Sequence, residues 1–237
     1  MSTRPRRLYL QAMGIDVWQR RSRSHLEPSM SDPAPPVESA AVAVEPIAVA
    51  DQWAQLITEV EDCTACPLHA TRTRAVFGVG HRQADCMVIG EAPGADEDRL
   101  GEPFVGRAGR LLDPMLKAIG LNRERVFIAN ILKSRPPDNR DPRPEEIQAC
   151  WPYLLRQIEL VQPRVFLIMG RVAAQTLLET QTPVGKLRGT VHQFQGRPLI
   201  VTYHPAYLLR SPLQKAKAWQ DLQLAQRSLA NTTTTVM

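Results

Sequence analysis

The sequence predicts an α/β domain in which helices cover both faces of a four-stranded, mostly parallel sheet. Two observations support this prediction: four short apolar runs have the composition of buried strands, and stretches with helical start and stop signals lie between them. The chain has 237 residues, of which 43% are hydrophobic and 22% are charged. These values are typical of a globular protein with a sizeable core, and they exclude a chain that is disordered throughout.

Each predicted strand is a short apolar run that ends in turn-forming residues. The four runs are Cys86–Gly90, Val126–Asn130, Val165–Met169 and Leu199–Tyr203. Because strands that alternate with crossover helices form a sheet covered on both faces, we expect all four to be buried. In an alternative interpretation, residues 188–203 form a hairpin that turns at Gln195 and Gly196 and leads into the last strand.

Four helices are predicted between and after these strands. One spans about residues 108–119, where Gly120 takes the C-cap position, and another spans 144–161, where Pro144 opens the first turn. Further helices are expected at 171–179 and at about 212–229. In such a sheet ligands bind at the carboxyl ends of the strands, so the residues that follow each strand are the functional candidates.

The first 50 residues differ in composition from the rest of the chain. Residues 1–24 carry arginines among apolar residues and predict a basic amphipathic segment, whereas residues 25–50 are rich in Pro and Ala and predict a linker. Residues 51–237 form the predicted main domain. The basic segment is either a flexible tail or a docking element for DNA or a partner, and the sequence leaves both open.

Charge and hydropathy restrict the cellular setting. The net charge of +5 permits a polyanionic partner without establishing one. No apolar run approaches the roughly 20 residues of a membrane span, and the N-terminus lacks the features of a secretory signal. We therefore expect no membrane association and a cytoplasmic location.

Glycine and acidic residues follow the first predicted strand. Gly90 and Glu91 begin this turn, and an acidic cluster that contains Glu97 comes next. Phe104 then precedes Gly106 at the start of a helix, where small residues let backbone amides approach an anion. The Gly-x-x-Gly pattern lacks the Lys-Ser/Thr ending of a nucleotide-binding P-loop, so it is a weak signal by itself.

Two further polar residues come directly after strands. Asn130 ends the second strand, and its amide can pair a donor and an acceptor with the edge of a base. His204 follows the fourth strand, and Arg210 comes shortly afterwards. Each residue alone has an ordinary structural explanation, but an acid, an aromatic, an amide and an imidazole at one sheet edge are typical of an active site.

Four motifs follow one another along the chain: GEAPG, GEPFVGRAGRLLD, NILKSRPPDNRDP and HPAYLLRSP. Together they resemble the family-4 uracil-DNA glycosylases, the iron–sulfur branch of their superfamily, over about residues 55–229. The resemblance implies a three-layer α/β/α domain that removes uracil from a nucleotide swung out of DNA and leaves an abasic site. It also implies a base excision repair hydrolase that binds uracil-containing DNA and is monomeric.

The resemblance implies a role for each candidate residue. Phe104 would stack on the extruded uracil, and Asn130 would hydrogen-bond to its Watson–Crick edge. His204 would face the base oxygen O2, where negative charge develops. Glu91 would orient or activate the hydrolytic water and stabilise the cationic sugar, with Glu97 as a further contributor.

Contacts outside the base are also implied. Leu208 and Leu209 are candidates for a wedge that enters the duplex. We expect Gly90 to contact the substrate, and we expect phosphate contacts from backbone amides around Gly106 and Gly109 and from the cations Arg107, Lys133, Arg135 and Arg210.

The cysteines indicate metal or redox chemistry, because Cys63 and Cys66 form a Cys-x-x-Cys pair in a chain expected to be cytoplasmic. The resemblance implies a structural 4Fe-4S cluster with Cys63, Cys66 and Cys150 as ligands and Ser134 where the remaining cysteine is expected. Serine is a harder ligand than a thiolate. Three outcomes stay open: a cluster with Ser134 or an outside ligand at one iron, no cluster or zinc in its place, and recruitment of Cys86.

Two other classes of function compete with an enzyme. One is a DNA-binding or damage-sensing module of the same fold without turnover, and the other is an iron–sulfur redox protein. The joint presence of Glu91, Asn130 and His204 favours the enzyme. The missing fourth cysteine disfavours the redox protein.

Overall fold

The computed structural model describes residues 49–234. The predicted basic segment 1–24 lies outside the described residues, as does nearly all of the predicted linker 25–50. No helix within the described part is both long and apolar enough to cross a membrane.

Six strands within this range form one sheet. They are β1 Val79–Gly80, β2 Cys86–Gly90, β3 Val126–Asn130, β4 Val165–Met169, β5 Val191–Phe194 and β6 Arg197–Thr202. Their order is β1-β3-β2-β4-β6-β5, in which the four central strands run parallel and the two edge strands run antiparallel to their neighbours. The four predicted strands are confirmed as the parallel centre, and the two edge strands complete the sheet.

Eight α-helices lie within the described residues and surround this sheet. They are α1 Val49–Glu61, α2 Ala95–Leu100, α3 Arg107–Lys117, α4 Pro144–Val161, α5 Arg171–Leu177, α6 Val184–Leu187, α7 Pro205–Arg210 and α8 Lys215–Thr234. The predicted helix at 144–161 has the observed bounds. The helix predicted at 212–229 begins instead as a 3-10 turn, Pro212–Gln214, which α8 continues.

Alternate residues of the central strands pack into two separate cores. In β2, Met87 and Ile89 pack on the face covered by α1, α4, α5 and α6, whereas Cys86 and Val88 pack on the face covered by α3, α7 and α8. All four side chains are fully buried. Because a strand with apolar side chains on both faces needs cover on both sides, this composition produces three layers, as predicted.

The hairpin expected about Gln195 and Gly196 is also present, since Phe194 of β5 pairs with Arg197 of β6. The short helices α2, α6 and α7 were not predicted, because four to six residues are too few to show helical periodicity. Helix α1 was missed although Trp53, Leu56 and Val60 form its buried stripe.

The strand order reverses at β2. The chain leaves β2 for β3 on one side and later returns to pair β4 on the other side. In open α/β sheets such a reversal opens a crevice at the carboxyl ends of the strands. Gly90 and Asn130 are paired at this edge.

Candidate active site

A cavity of about 470 Å³ lies at the carboxyl ends of the central strands. We call it the carboxyl-edge cavity. Glu91, Phe104, Asn130 and His204 all line it, although more than a hundred positions separate the first from the last. A second cavity of about 410 Å³, lined by residues such as His81 and Asp85 that precede β2, contains none of these side chains.

Gly90 allows two of these side chains to meet. A Cβ atom at Gly90 would lie 2.4 Å from Asn130 Oδ1 and 2.6 Å from Phe104 Cζ. Both distances are too short for any larger residue without displacing the neighbours. The phenyl ring and the amide therefore meet over the end of β2 because position 90 has no side chain.

Phe104 is fixed through its backbone. Its φ angle is 55°, a left-handed conformation that a bulky residue rarely adopts, and its ring is 4% exposed. The Arg123 guanidinium donates hydrogen bonds to the carbonyl oxygens of Phe104 and Pro103, and its Nε donates to Asp113 at 2.6 Å. The ring stacks on His204 with centroids 5.5 Å apart and an interplanar angle of 29°.

The Asn130 side chain is 3% exposed, and its backbone carbonyl accepts a hydrogen bond from Lys133 Nζ at 2.8 Å. No residue in the described part of the chain hydrogen-bonds to its side-chain amide, which lines the cavity. Because buried amides are normally paired, this donor and acceptor are suited to a ligand.

Glu91 is a half-buried carboxyl group that accepts no hydrogen bond from residues 49–231. Its pKa is raised to about 7, mainly by burial and in addition by the nearby Asp141 carboxylate, whereas Arg171 opposes the shift. Arg171 and Asp141 form an ion pair with each other. An unpaired carboxyl group that titrates near neutrality is typical of a general base or a charge-stabilising group.

His204 caps α7, since its Nδ1 accepts a hydrogen bond from the Ala206 amide at 3.2 Å. A neutral ring with Nδ1 as acceptor carries its proton on Nε2. Burial lowers the pKa of His204 to about 4; the Glu97 carboxylate acts against this and Arg210 adds to it. Near neutral pH the residue is therefore an uncharged hydrogen-bond donor.

Glu97 is surrounded by backbone donors. Its carboxylate accepts hydrogen bonds from the amides of Gly94 at 3.1 Å, Val105 at 3.0 Å and Gly106 at 3.0 Å. These bonds join the turn that starts α2 to the turn that starts α3. The Gly106 amide is thus already engaged, while Glu97 still lines the cavity.

The cations and leucines predicted to contact DNA differ in exposure. Arg210 is exposed and lines the cavity. The prediction of a phosphate contact for Lys133 is wrong, because its side chain is 2% exposed. The wedge prediction is wrong for Leu208, which is 1% exposed and packs in the core, whereas Leu209 is 37% exposed.

Three of the four thiols lie near one another. Burial raises the pKa of Cys66 and of Cys150, and negative charge on Cys63 raises both further. The Lys133 amide donates a hydrogen bond to Cys150, and the neighbouring Ser134 is 3% exposed. Within the described residues, no set of three His, Cys, Asp or Glu side chains is arranged to hold a single metal ion.

Ser134 has a polar partner from a distant part of the chain. Its hydroxyl accepts a hydrogen bond from Arg72 Nη1 at 3.0 Å. Recruitment of Cys86 to the other thiols is wrong, because Cys86 is fully buried in the core on the opposite face of the sheet from Cys150. Burial raises the pKa of Cys86 to about 12.

The sequence did not single out every residue of the cavity. Asn139, Arg140, Asp141 and Tyr207 also line it. The first three belong to the motif NILKSRPPDNRDP, so the motif was the available signal, but it gave no indication of which side chains face the cavity.

Comparison with known proteins identifies one superfamily. The family model described as "Uracil DNA glycosylase superfamily" matches residues 77–223. The type-4 uracil-DNA glycosylase of Archaeoglobus fulgidus is 47% identical over 176 residues, which are 71% of this chain and 88% of that protein. The type-4 uracil-DNA glycosylase of Thermotoga maritima is 43% identical over 164 residues, 68% of this chain and 85% of that protein.

A type-5 uracil-DNA glycosylase of Pyrobaculum aerophilum is more distant. It is 30% identical over 146 residues, which are 54% of this chain and 64% of that protein. The type-4 enzymes thus match at higher identity and over more of both chains.

Proposed function

Because the chain belongs to the uracil DNA glycosylase superfamily and resembles its type-4 enzymes over most of their length, we propose that it hydrolyses the N-glycosidic bond of uracil in DNA. The products are free uracil and an abasic site, and the process is DNA repair. One observation carries the proposal beyond the comparisons. A buried amide and a carboxyl group, both without hydrogen-bond partners among the described residues, line one cavity with a phenyl ring and a neutral imidazole.

Phe104 and Asn130 bind the extruded base. A base stacked on an aromatic ring gains roughly 1–3 kcal/mol, which helps to offset the cost of leaving the DNA stack. The Asn130 amide supplies one donor and one acceptor to the edge of uracil. Gly90 supports this arrangement, because a side chain there would displace both residues.

His204 stabilises the leaving base. The departing uracil becomes negatively charged, and the neutral imidazole donates the proton on Nε2 toward the base oxygen. Such a donor acts more strongly on the transition state than on the substrate. Its removal is expected to lower the rate about 10²- to 10³-fold, as for other donors to a developing oxyanion.

Glu91 acts on the sugar and on water. Above its pKa of about 7 it is a carboxylate, which stabilises the cationic sugar and orients the attacking water. Glu97 contributes by position, since it holds backbone amides on both sides of Phe104 in the chain, one before it and two directly after it. Arg210 contacts phosphate from the exposed side of the cavity.

We further propose that Cys63, Cys66 and Cys150 hold an iron–sulfur cluster, with Ser134 at the fourth position. The proximity of three thiols supports such a group, and the buried Ser134 hydroxyl would be a harder donor than a thiolate. When bound, the cluster stabilises the fold by joining residues 63–66 to α4. The hydrolysis itself involves no electron transfer. A cytoplasmic location and a monomeric state stay predictions.

An assay of abasic-site formation tests the function. The protein is incubated with an end-labelled oligonucleotide that contains one uracil, and alkali then breaks the strand at abasic sites. We expect strand breaks with the wild type and with Glu102→Ala, an exposed carboxylate control, but few with Glu91→Ala or His204→Ala. Absence of breaks from the wild type would reject the function, and equal activity of all variants would reject the residue assignments.

A further inference from the structure

Lys133 is a lysine whose long side chain is almost completely buried, at 2% exposure. Its ammonium group forms no ion pair with a carboxylate among residues 49–231. Instead Nζ donates hydrogen bonds to two neutral acceptors, the Asn130 carbonyl at 2.8 Å and Gln157 Oε1 at 2.6 Å. Burial lowers the pKa of Lys133 to about 7, and Cys150 acts against this shift, so a buried amine in this position needs a physical explanation.

The stability of the fold alone does not explain why position 133 is a lysine. A buried charge is often replaced by an apolar side chain of similar size without loss of stability, or with a gain. Gln157 is itself anchored, since its Nε2 donates to the Phe77 carbonyl at 2.8 Å. Lys133 therefore has one fixed partner in α4, and its other bond reaches the end of β3.

The group at the end of β3 is the backbone of Asn130, whose side chain lines the carboxyl-edge cavity. Directly after this residue, two amides bond to the end of β2 and to the residue that follows β2: Ile131 to the Gly90 carbonyl at 3.0 Å and Leu132 to the Glu91 carbonyl at 3.1 Å. The Asn130 carbonyl points to Lys133 instead. The bond from Nζ thus fixes the peptide plane that carries Asn130 and links it to α4.

We propose that Lys133 is a positioning residue, which holds the Asn130 backbone so that the Asn130 side-chain amide keeps a fixed direction into the base pocket. The inference rests on the proposed function, in which Asn130 binds the base. It gives the buried amine a use, because Nζ donates a hydrogen bond to the Asn130 carbonyl whether the amine is charged or neutral. Misplacement of a binding group by a fraction of an ångström lowers the rate even when the group is still present.

A double-mutant cycle tests this inference. Single-turnover kcat/KM on a uracil-containing oligonucleotide is measured for wild type, Lys133→Met, Asn130→Ala and the double variant. We expect Lys133→Met alone to lower kcat/KM about 10- to 100-fold, the range for leaving a buried carbonyl without its donor. In the Asn130→Ala background it should have almost no further effect, because no amide is left to position.

Two more measurements separate positioning from general stability. Inhibition by free uracil should weaken in Lys133→Met, since the base contact itself is disturbed. Leu154→Ala is the matched control, because it leaves a cavity in the core beside α4 and keeps both hydrogen bonds of the Lys133 amine. This control should lower the melting temperature and change kcat/KM by less than about threefold.

Each outcome decides the inference. An equal loss of activity from Lys133→Met in both backgrounds, or unchanged uracil inhibition, would overturn it. Full activity of Asn130→Ala would instead reject the proposed role of Asn130 and leave nothing to position. If Lys133→Met does not fold, Lys133→Gln is tested in the same cycle. If neither variant folds, the role of Lys133 is structural and the inference is wrong.

Discussion

Burial shifts the pKa values of two side chains that line the carboxyl-edge cavity. Burial raises the pKa of Glu91 to about 7 and lowers the pKa of His204 to about 4, because it disfavours the charged form of each. Just above neutral pH the carboxyl group is mostly ionised and the imidazole is neutral. These are the protonation states that a cationic sugar and an anionic leaving base require.

The pH dependence of the reaction follows from these values. Activity should rise with pH through an apparent pKa near 7, because the Glu91 carboxylate is the active form and His204 does not titrate in this range. Asp141→Asn removes a repelling charge from Glu91, so the midpoint should move to lower pH. Single-turnover rates measured from pH 5 to pH 9 give the midpoint for the wild type and the midpoint for Asp141→Asn.

The matched control for this shift is Asp85→Asn, whose carboxylate lies before β2 at the opposite edge of the sheet. It should leave the midpoint unchanged. If the activity of Glu91→Gln still rises with an apparent pKa near 7, another group is responsible for the pH dependence.

At the level of elements, the segment between β2 and α3 is organised by one carboxylate and one glycine. Glu97 binds the amides at both ends of the segment, and Gly109 of α3 lies against the Phe104 carbonyl. A Cβ atom at Gly109 would come within 1.6 Å of that oxygen. The conformation of Phe104 therefore depends on backbone contacts from both sides.

Glu97→Gln should disturb this segment without removing a group that contacts the base. The amide side chain turns an NH₂ group toward backbone donors, so at least one charge-assisted bond is lost. We expect kcat/KM to fall about 10- to 100-fold, together with faster proteolysis between residues 94 and 106. Asp96→Asn, an exposed neighbour, is the control; equal sensitivity of both variants would contradict this role for Glu97.

Gly109→Ala tests the packing of α3 against Phe104. The overlap with the Phe104 carbonyl should destabilise the fold by about 1–3 kcal/mol, in the range for overpacked sites, and should lower activity. Gly185→Ala, in helix α6, is the control, because its nearest neighbour is Tyr203 Oη at 3.7 Å. It should be neutral or slightly stabilising, since alanine favours the helix by about 0.5–1 kcal/mol. Denaturant unfolding gives the free energy of unfolding of both variants. Equal destabilisation by the two substitutions would contradict close packing of Gly109 against Phe104.

The sequence predicted the elements that depend on local composition. The central strands were found because runs such as Cys86–Gly90 are apolar throughout, and Glu91, Asn130 and His204 were found because each directly follows or ends a strand. Arg123, which fixes Phe104, and Asp141, which acts on Glu91, lie outside regular strands and have no such signal. Their importance depends on tertiary contacts that composition does not encode.

Composition also does not encode the strand order of the sheet or the spatial arrangement of the thiols. The pairing of β2 with both β3 and β4 could not be obtained from composition, since it depends on which crossover passes over which face. The contact between Arg72 and Ser134 joins residues 62 positions apart. The separation of Cys86 from Cys150 by the sheet likewise required the folded structure.

For the whole molecule, the three neighbouring thiols come from two separate parts of the chain. Cys63 and Cys66 lie between α1 and β1, and Cys150 lies within α4. A shared cluster would connect these segments across one layer of the fold, close to the residues that follow Asn130. Loss of the cluster should therefore affect stability before it affects chemistry.

Iron and sulfide analysis of anaerobically purified protein tests this connection. Cys150→Ala should lose most of its iron and melt at a lower temperature, because one ligand and one link between segments are removed. Cys86→Ala is a control of similar burial and should retain its iron. Iron-free wild-type protein with full activity, or zinc in place of iron, would contradict the cluster proposal.

The central claim is that Glu91, Phe104, Asn130 and His204 act together on one uracil swung out of DNA. A crystal structure of Glu91→Gln bound to an oligonucleotide with a single uracil tests it most directly. We expect the base inside the carboxyl-edge cavity, stacked on Phe104 and hydrogen-bonded to the Asn130 amide, with His204 facing a base oxygen. A uracil that stays stacked in the DNA, or lies in another part of the protein, would contradict it.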